Sequence, residues 1–552
     1  MEKRTIIAFL LIFLVYWFSS QFLWRTTPVQ TTEEVEERRQ EQADSTPLTR
    51  ERPVFEEHAA QESQLFYVEN MTVNDGITIR NDHIEVRFTN LGGLINQITL
   101  KDFYLYDKRT PVALIPDGQS IMQVNFPNHP LGEINEMVFE YELTESRDSQ
   151  TVRFSLINPE ANSIFRKIFT LREGYNLDFQ IQAENIPSFE SYSVSVNSGI
   201  NITERSRAAE KDMRNSFKFV GQIDREVRDI TLHRLSRGEQ TFSGNVNWAA
   251  VRSKYFVMSL ISPSPVRANS VRTQRISDTL GFDVTVSHAN RQSMIHDNFE
   301  LYLGPINIDI LRAFNMGKEN IAELSWRWLR PLSQLFMFYI SFLYRHIPNY
   351  GVVIIIFAFT LKVLLSPLTK KSLTAGKKMQ QIQPLMREIQ TKYKNDPKKQ
   401  QEELRKMYAE HKVNPLGGCL PILLQMPVFF ALFPVLRSSI EFRQAHFVGW
   451  LTDLSEPDPY YILPILMGAF MFLQQKMMQT KQDTSNMDEK QLAMVQSQKM
   501  MMYLLPPFMV FIFSGFPSGL VLYWTTYNVF SIIMQYFLNK KNKTEIEVKP
   551  QT

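Results

Sequence analysis

The segment YGVVIIIFAFTLKVLLSP, residues 350–367, is apolar over nearly its whole length yet holds one lysine, Lys362, about five residues from its end. As a helix rising ~1.5 Å per residue it reaches about 27 Å, close to the ~30 Å thickness of a hydrocarbon core. An ammonium at that depth costs about 2.5–3.5 kcal/mol on insertion scales, so Lys362 is expected to face water or a partner. Snorkelling toward the near end of the helix is the plainer reading.

Working outward from this segment, further apolar stretches occur at 418–436, 460–478, 500–516 and 518–538, and another at 6–24 behind Lys3 and Arg4. Together they predict six transmembrane helices. The run from Ile6 continues through Phe22, Leu23 and Trp24 with no A-x-A-like cleavage site before them, so residues 1–24 are expected to be an uncleaved anchor. Pro421, Pro427 and Pro434 fall in the third span and Pro506 and Pro507 in the fifth, which marks these two as the natural movable wall.

The stretch 369–414 holds 12 Lys and Arg against 5 acidic residues, net +7, whereas 437–459 is net −2. The positive-inside bias puts the first of these, both termini and the basic tail 541–552 in the cytoplasm, and the region between the first two spans outside. Within 369–414, Met379, Ile382, Met386, Ile389 and Tyr393 step by three and four. After Asn395, Asp396 and Pro397 a second helix offers Leu404, Tyr408 and His411, so a cytoplasmic helical hairpin is expected.

Residues 25–64, rich in Glu, Gln, Arg, Thr and Pro, lack the apolar surface to offset ordering entropy and read as a disordered linker. From 65 to 320 the pattern becomes short alternating runs, such as Ile77 and Ile79, then Ile84, Val86 and Phe88, then Ile95, Ile98 and Leu100, broken by turn residues. These predict a large antiparallel β-sandwich. Residues 321–348 mix Trp326, Trp328, Phe336, Phe338, Tyr339, Phe342 and Tyr344 with Arg327, Arg330 and Arg345, the composition of an amphipathic helix lying in the membrane interface. The fold class is thus α+β, an outer sheet domain joined to a core of five helices over 349–540.

The 552 residues carry 60 Lys and Arg against 57 Asp and Glu, a near balance that excludes a nucleic-acid coat over the whole surface. The single cysteine, Cys419, excludes an internal disulfide framework. No HExxH, GxSxG, Walker A or GxGxxG motif is present and the nine His lack ligand spacing. The chain is therefore expected to be no enzyme, with no catalytic or metal-ligating residues, no cofactor and no small-molecule substrate.

No Asp or Glu falls within the six spans, so Lys362 has no intramembrane counter-ion, and a wet cavity open to the cytoplasm would keep it charged. Thr360, Gln425, Gln474, Gln475 and the i, i+3 run Thr525, Asn528, Ser531 are available to line one hydrophilic groove, although each alone is more often helix–helix glue.

Three motifs in order, NPLGGCLPILLQMPVFFALF (414–433), DPYYILPILMG (458–468) and FPSGLVLYW (516–524), closely resemble the YidC/Oxa membrane protein insertases. The anchor followed by a large outer β-domain resembles the Gram-negative YidC type, whose domain is supersandwich-like. The resemblance implies an insertase and chaperone of the bacterial inner membrane with a periplasmic domain. It would act alone or with the Sec translocon on nascent membrane proteins delivered by the ribosome into the phospholipid bilayer. The substrate groove is then expected at Lys362, Thr360, Gln425, Gln474, Trp524, Thr525 and Asn528. The family's groove arginine falls on Lys362, which keeps the charge but loses bidentate binding of a carboxylate. A secondary transporter or channel is the alternative, but the coupling carboxylates and repeated broken helices it would need are not found. A sugar-binding or enzymatic outer domain would rest on fold analogy alone.

Overall fold

The computed structural model describes residue 66 and residues 72–547, apart from 205–215, 236–237, 263–267, 314–327, 395, 412, 414–419 and 479–488. The expected anchor, the whole of the expected linker, the first residues of the NPLGG motif and the end of the basic tail lie outside the described residues.

The alternating runs form strands because one side of each can be buried. Ile77, Ile79, Ile84, Val86, Phe88, Ile95, Ile98 and Leu100 all lie in the core, on strands Ile77–Arg80, Ile84–Thr89 and Leu94–Tyr104. The three pair antiparallel, with Ile79 opposite Val86 and Val86 opposite Ile98. The turn between the second and third needs glycine: Gly92 has φ 71°, and a Cβ there would stand 2.4 Å from the Asn135 carbonyl oxygen. The described residues contain 18 strands in sheets of four, five and nine, all paired antiparallel. Phe219 of the nine-stranded sheet packs on Phe242 and Phe282 of the five-stranded one, with ring centres 5.8 and 6.0 Å apart. Phe88 of the four-stranded sheet packs on Phe154 and Phe169 of the nine-stranded one.

One cation interrupts this apolar interior. Lys167 lies on strand Ser163–Leu171 on the same face as Phe165 and Phe169, fully buried. Its Nζ donates to the carbonyls of Gly92 (2.8 Å) and Met122 (2.9 Å), so a single side chain ties the turn between the second and third strands and the start of strand Gln123–Asn125 to the nine-stranded sheet. Burial pulls its pKa down from 10.5 to about 7. The unfolded chain therefore binds this proton more tightly than the folded one, and between about pH 7 and 10.5 the stability contributed by this group rises with pH. Hydrogen exchange of strand Ser163–Leu171 in the full chain should slow relative to intrinsic exchange from pH 7 to 9. Lys167→Met should abolish that pH dependence; a slope unchanged by the substitution would remove Lys167 as its source.

Nine helices follow among the described residues: α1 (Ile308–Ala313), α2 (Arg330–His346), α3 (Tyr350–Gln381), α4 (Gln383–Lys392), α5 (Pro397–Glu410), α6 (Leu420–Ser438), α7 (Ile462–Met478), α8 (Glu489–Phe513) and α9 (Ser518–Glu547). Of the expected spans, Tyr350–Lys370 in α3 is long and apolar enough to cross a membrane by itself, and the apolar stretches Ile462–Met477 and Met502–Phe513 are shorter. α2 buries Ser333, Phe336, Met337 and Ile340 but exposes Leu335, Phe338 and Phe342, so it is apolar on its outer side too.

Helices α4 and α5 enclose a small core of Ile382, Leu404, Met407 and Val413, with Met379, Met386, Ile389 and Tyr408 packed around it. Asp396 caps α5 by accepting from the Lys399 backbone N–H at 3.1 Å, and Pro397 opens the helix. The expected seam differs in two places. The backbone breaks at Ile382, where Pro384 begins a new first turn, and His411 is an exposed C-cap whose place in the core is taken by Met407 and Val413.

The segment after α6, weighed in the sequence only for its charge, docks on the sheet domain. A 3-10 turn at Ile440–Phe442 leads into Arg443, whose Nε donates to Glu204 Oε1 at 2.7 Å and whose Nη2 donates to the Tyr104 carbonyl at 2.7 Å. Gln444 Nε2 donates to the carbonyls of Tyr104 and Leu105, and Lys108 Nζ to that of Thr452. The guanidinium also lies over the rings of Tyr255 and Phe256.

Candidate functional site

Helices α3 and α9 pack side by side, and their shared face holds the buried polar groups. On α9, Thr525, Asn528, Ser531 and Gln535 follow at intervals of three, three and four, all buried on one helical face. Opposite them Lys362 of α3 is 6% exposed. Its Nζ donates to Ser531 Oγ at 2.6 Å and lies 4.4 Å from the centre of the Tyr527 ring. Ser531 passes its own proton back to the Tyr527 carbonyl at 2.7 Å, so its oxygen is free to accept from the ammonium. No carboxylate pairs with Lys362 among the described residues. Beside this contact the Nδ2 of Asn528 is buried with no hydrogen-bond partner. A buried amide donor left unmade costs about 1–3 kcal/mol, which marks it as a group awaiting an acceptor.

The sequence-expected residues divide. Lys362, Thr525 and Asn528 come together at the α3–α9 contact, although Thr525 spends its hydroxyl on the Val521 carbonyl. Gln425 of α6 joins them indirectly: its Nε2 donates to Tyr523 OH at 3.0 Å, and the Tyr523 ring lies 6.1 Å from that of Tyr527. Thr360 does not join. Two residues along a helix rotate a side chain by about 200°, so Thr360 points away from Lys362 and bonds Tyr339 OH of α2 at 3.0 Å. Trp524 packs among Phe429 of α6 and Phe513 of α8 rather than against the lysine. Gln474 of α7 bonds none of these groups among the described residues, while its neighbour Gln475 has a buried, unpartnered Oε1.

Lys362 is also less accessible than expected. The sequence predicts a wet cavity around the ammonium, whereas the hydroxyl of Ser531 and the face of Tyr527 cover it. Tyr527, Tyr523 and Gln535 were missed in the sequence. The signal that could have found Tyr527 is its aromatic ring one turn before Ser531, the usual way to cover a buried cation without a counter-ion.

A family model described as 60Kd inner membrane protein matches residues 342–545, and one described as YidC periplasmic domain matches residues 76–338. A relative named membrane protein insertase YidC from Prosthecochloris aestuarii is 32% identical, covering 99% of this chain and 96% of that protein. One of the same name from Geobacter sp. strain M21 is 36% identical over 68% of each. A solved structure titled active YidC insertase, with its first transmembrane domain resolved, is 19% identical over 84% of this chain and 93% of that one, with a TM-score of 0.34. The two family models between them take in both the sheet domain and the helices that carry Lys362. The chain therefore belongs to the YidC family of membrane protein insertases, inner-membrane proteins and not enzymes.

Proposed function

We propose that this chain inserts integral membrane proteins by holding the polar part of an incoming segment at the α3–α9 contact while its apolar helix passes into lipid. The observation that carries this reading is the pair of under-satisfied donors there, Lys362 with one hydroxyl partner and Asn528 Nδ2 with none. An acidic or carbonyl-rich tail supplies the acceptors both lack, which lowers the tail's desolvation cost. Transfer of the apolar helix to lipid, at ~0.8 kcal/mol per CH₂, supplies the driving force. The covered lysine is then the resting arrangement, and the tail displaces the Ser531 hydroxyl from the ammonium. Gln425 and Thr525 extend the polar surface, and Trp524 and Gln474 belong to its lipid-side rim. Pro427, Pro434, Pro506 and Pro507 inside α6 and α8 each remove a helix hydrogen bond, which favours these two as the wall that yields.

In this reading the chain crosses the membrane six times, with both termini and the α4–α5 hairpin in the cytoplasm and the sheet domain in the periplasm. The +7 charge of 369–414 supports that orientation. Ribosomes deliver nascent chains to the cytoplasmic side, and the Sec translocon is a partner for larger substrates. Photo-crosslinkers at positions 362, 425 and 528 should label ribosome-bound nascent membrane proteins, with 528 the strongest. Labelling confined to probes on the sheet domain would rule the site out.

A further inference from the structure

We propose that the cleft between α1 and α2 binds the headgroup of a phospholipid bearing a primary amine, phosphatidylethanolamine, with its phosphate at Arg345 and its ammonium at Asp309. The cleft has a volume of about 300 Å³, and its lining includes Asp309 of α1 and Gln334, Phe338, Ser341, Phe342 and Arg345 of α2. One water needs only about 10–15 Å³ of such space, so the cleft has room for the roughly eight non-hydrogen atoms of a phosphoethanolamine group.

The chemistry of the lining changes along its length. Gln334, Phe338, Ser341 and Arg345 fall at i, i+4, i+7 and i+11, so they form one stripe along α2 that places hydrogen-bonding groups and a cation in the cleft. Phe338 and Phe342 belong to the cleft and are also among the exposed apolar side chains of α2, so the same wall continues outward as a path for acyl chains. Asp309 faces this stripe from α1. Among the described residues neither Asp309 nor Arg345 forms an ion pair, and both side chains line the cleft.

A second acidic group lies behind Asp309. Glu441 accepts from Asn307 Nδ2 at 3.1 Å, and Asn307 Oδ1 in turn accepts from the Asp309 backbone N–H. Burial first, and then the Asp309 charge, raise the Glu441 carboxyl to about 7, and its Oε2 is buried without a hydrogen-bond partner. That end of the cleft is therefore short of positive charge, and an ammonium relieves it. Phosphatidylglycerol brings the phosphate but no cation for Asp309. Phosphatidylcholine brings a cation that cannot donate a hydrogen bond.

The test uses the full chain in nanodiscs made from equal parts of phosphatidylethanolamine, phosphatidylglycerol and phosphatidylcholine with identical acyl chains, followed by native mass spectrometry of the lipids retained after gentle extraction. Phosphatidylethanolamine should be retained at least fivefold over each of the others. Asp309→Asn should bring it level with phosphatidylglycerol, and Arg345→Gln should lower both. Both positions are exposed, so these variants are expected to fold. Equal retention of the three lipids by the native chain, or a preference that survives both substitutions, would overturn the assignment.

Discussion

Substrates with acidic translocated tails should be inserted at least tenfold more slowly when Lys362 is changed to Glu, while Lys362→Arg retains insertion. Two unit charges 4 Å apart interact by about 4 kcal/mol at an effective dielectric near 20, and reversing one charge turns that attraction into repulsion. Tenfold corresponds to only about 1.4 kcal/mol, which leaves ample allowance for screening by water and for the Ser531 and Tyr527 groups around the site. Lys362→Ala should fall between, since it removes the attraction without adding repulsion. Arginine preserves the sign and adds a fork that grips a carboxylate with two bonds. The measurement is protease protection of the tail in proteoliposomes, with a substrate of neutral tail as the control for correct folding. Equal insertion of both substrates by the native, Ala and Glu proteins would reduce Lys362 to a packing group at the α3–α9 contact.

The second large effect is structural. Arg443 and Glu204 are 2% and 5% exposed at the side chain, and their 2.7 Å contact joins the loop after α6 to the sheet domain. Truncating one member of such a pair leaves an uncompensated buried charge and costs about 3–5 kcal/mol. In Arg443→Met, Glu204 keeps the hydroxyl of Thr203 but loses its counter-ion, and the Tyr104 carbonyl loses one of its two side-chain donors. Strand Leu94–Tyr104 and the loop 439–456 should then exchange their amide hydrogens faster together. Because the penalty comes from the orphaned charge and not from missing attraction, adding Glu204→Leu should restore most of the protection. Wild-type exchange in the Arg443→Met protein would show that the apolar contacts hold the domain without the ion pair.

Much of the sheet domain was legible because burial on one face of a strand imposes a period of two. Ile77, Ile79, Ile84, Val86 and Phe88 could be placed in the core from spacing alone. Lys167 could not: its neighbours Phe165 and Phe169 gave the face, but nothing local says that two carbonyls from turns far along the chain converge on its amine. The same holds for Arg443, which reads as one charge in a short acidic loop until Glu204 and Tyr104 are brought against it.

At the candidate site the sequence by itself determined that a cation lies inside an apolar helix, that no acidic residue of the spans can neutralise it, and that α9 presents a polar stripe. Those are properties of composition and helical period. Only the tertiary structure decided which of these groups meet. Lys362 and Ser531 are 169 residues apart, and their contact depends on which faces of α3 and α9 pack together. Thr360, two residues from Lys362, is turned to α2 by the same helical rotation that brings the lysine to α9. Periodicity ranks the faces of one helix, but the neighbour each face receives is settled by the packing of all the helices at once.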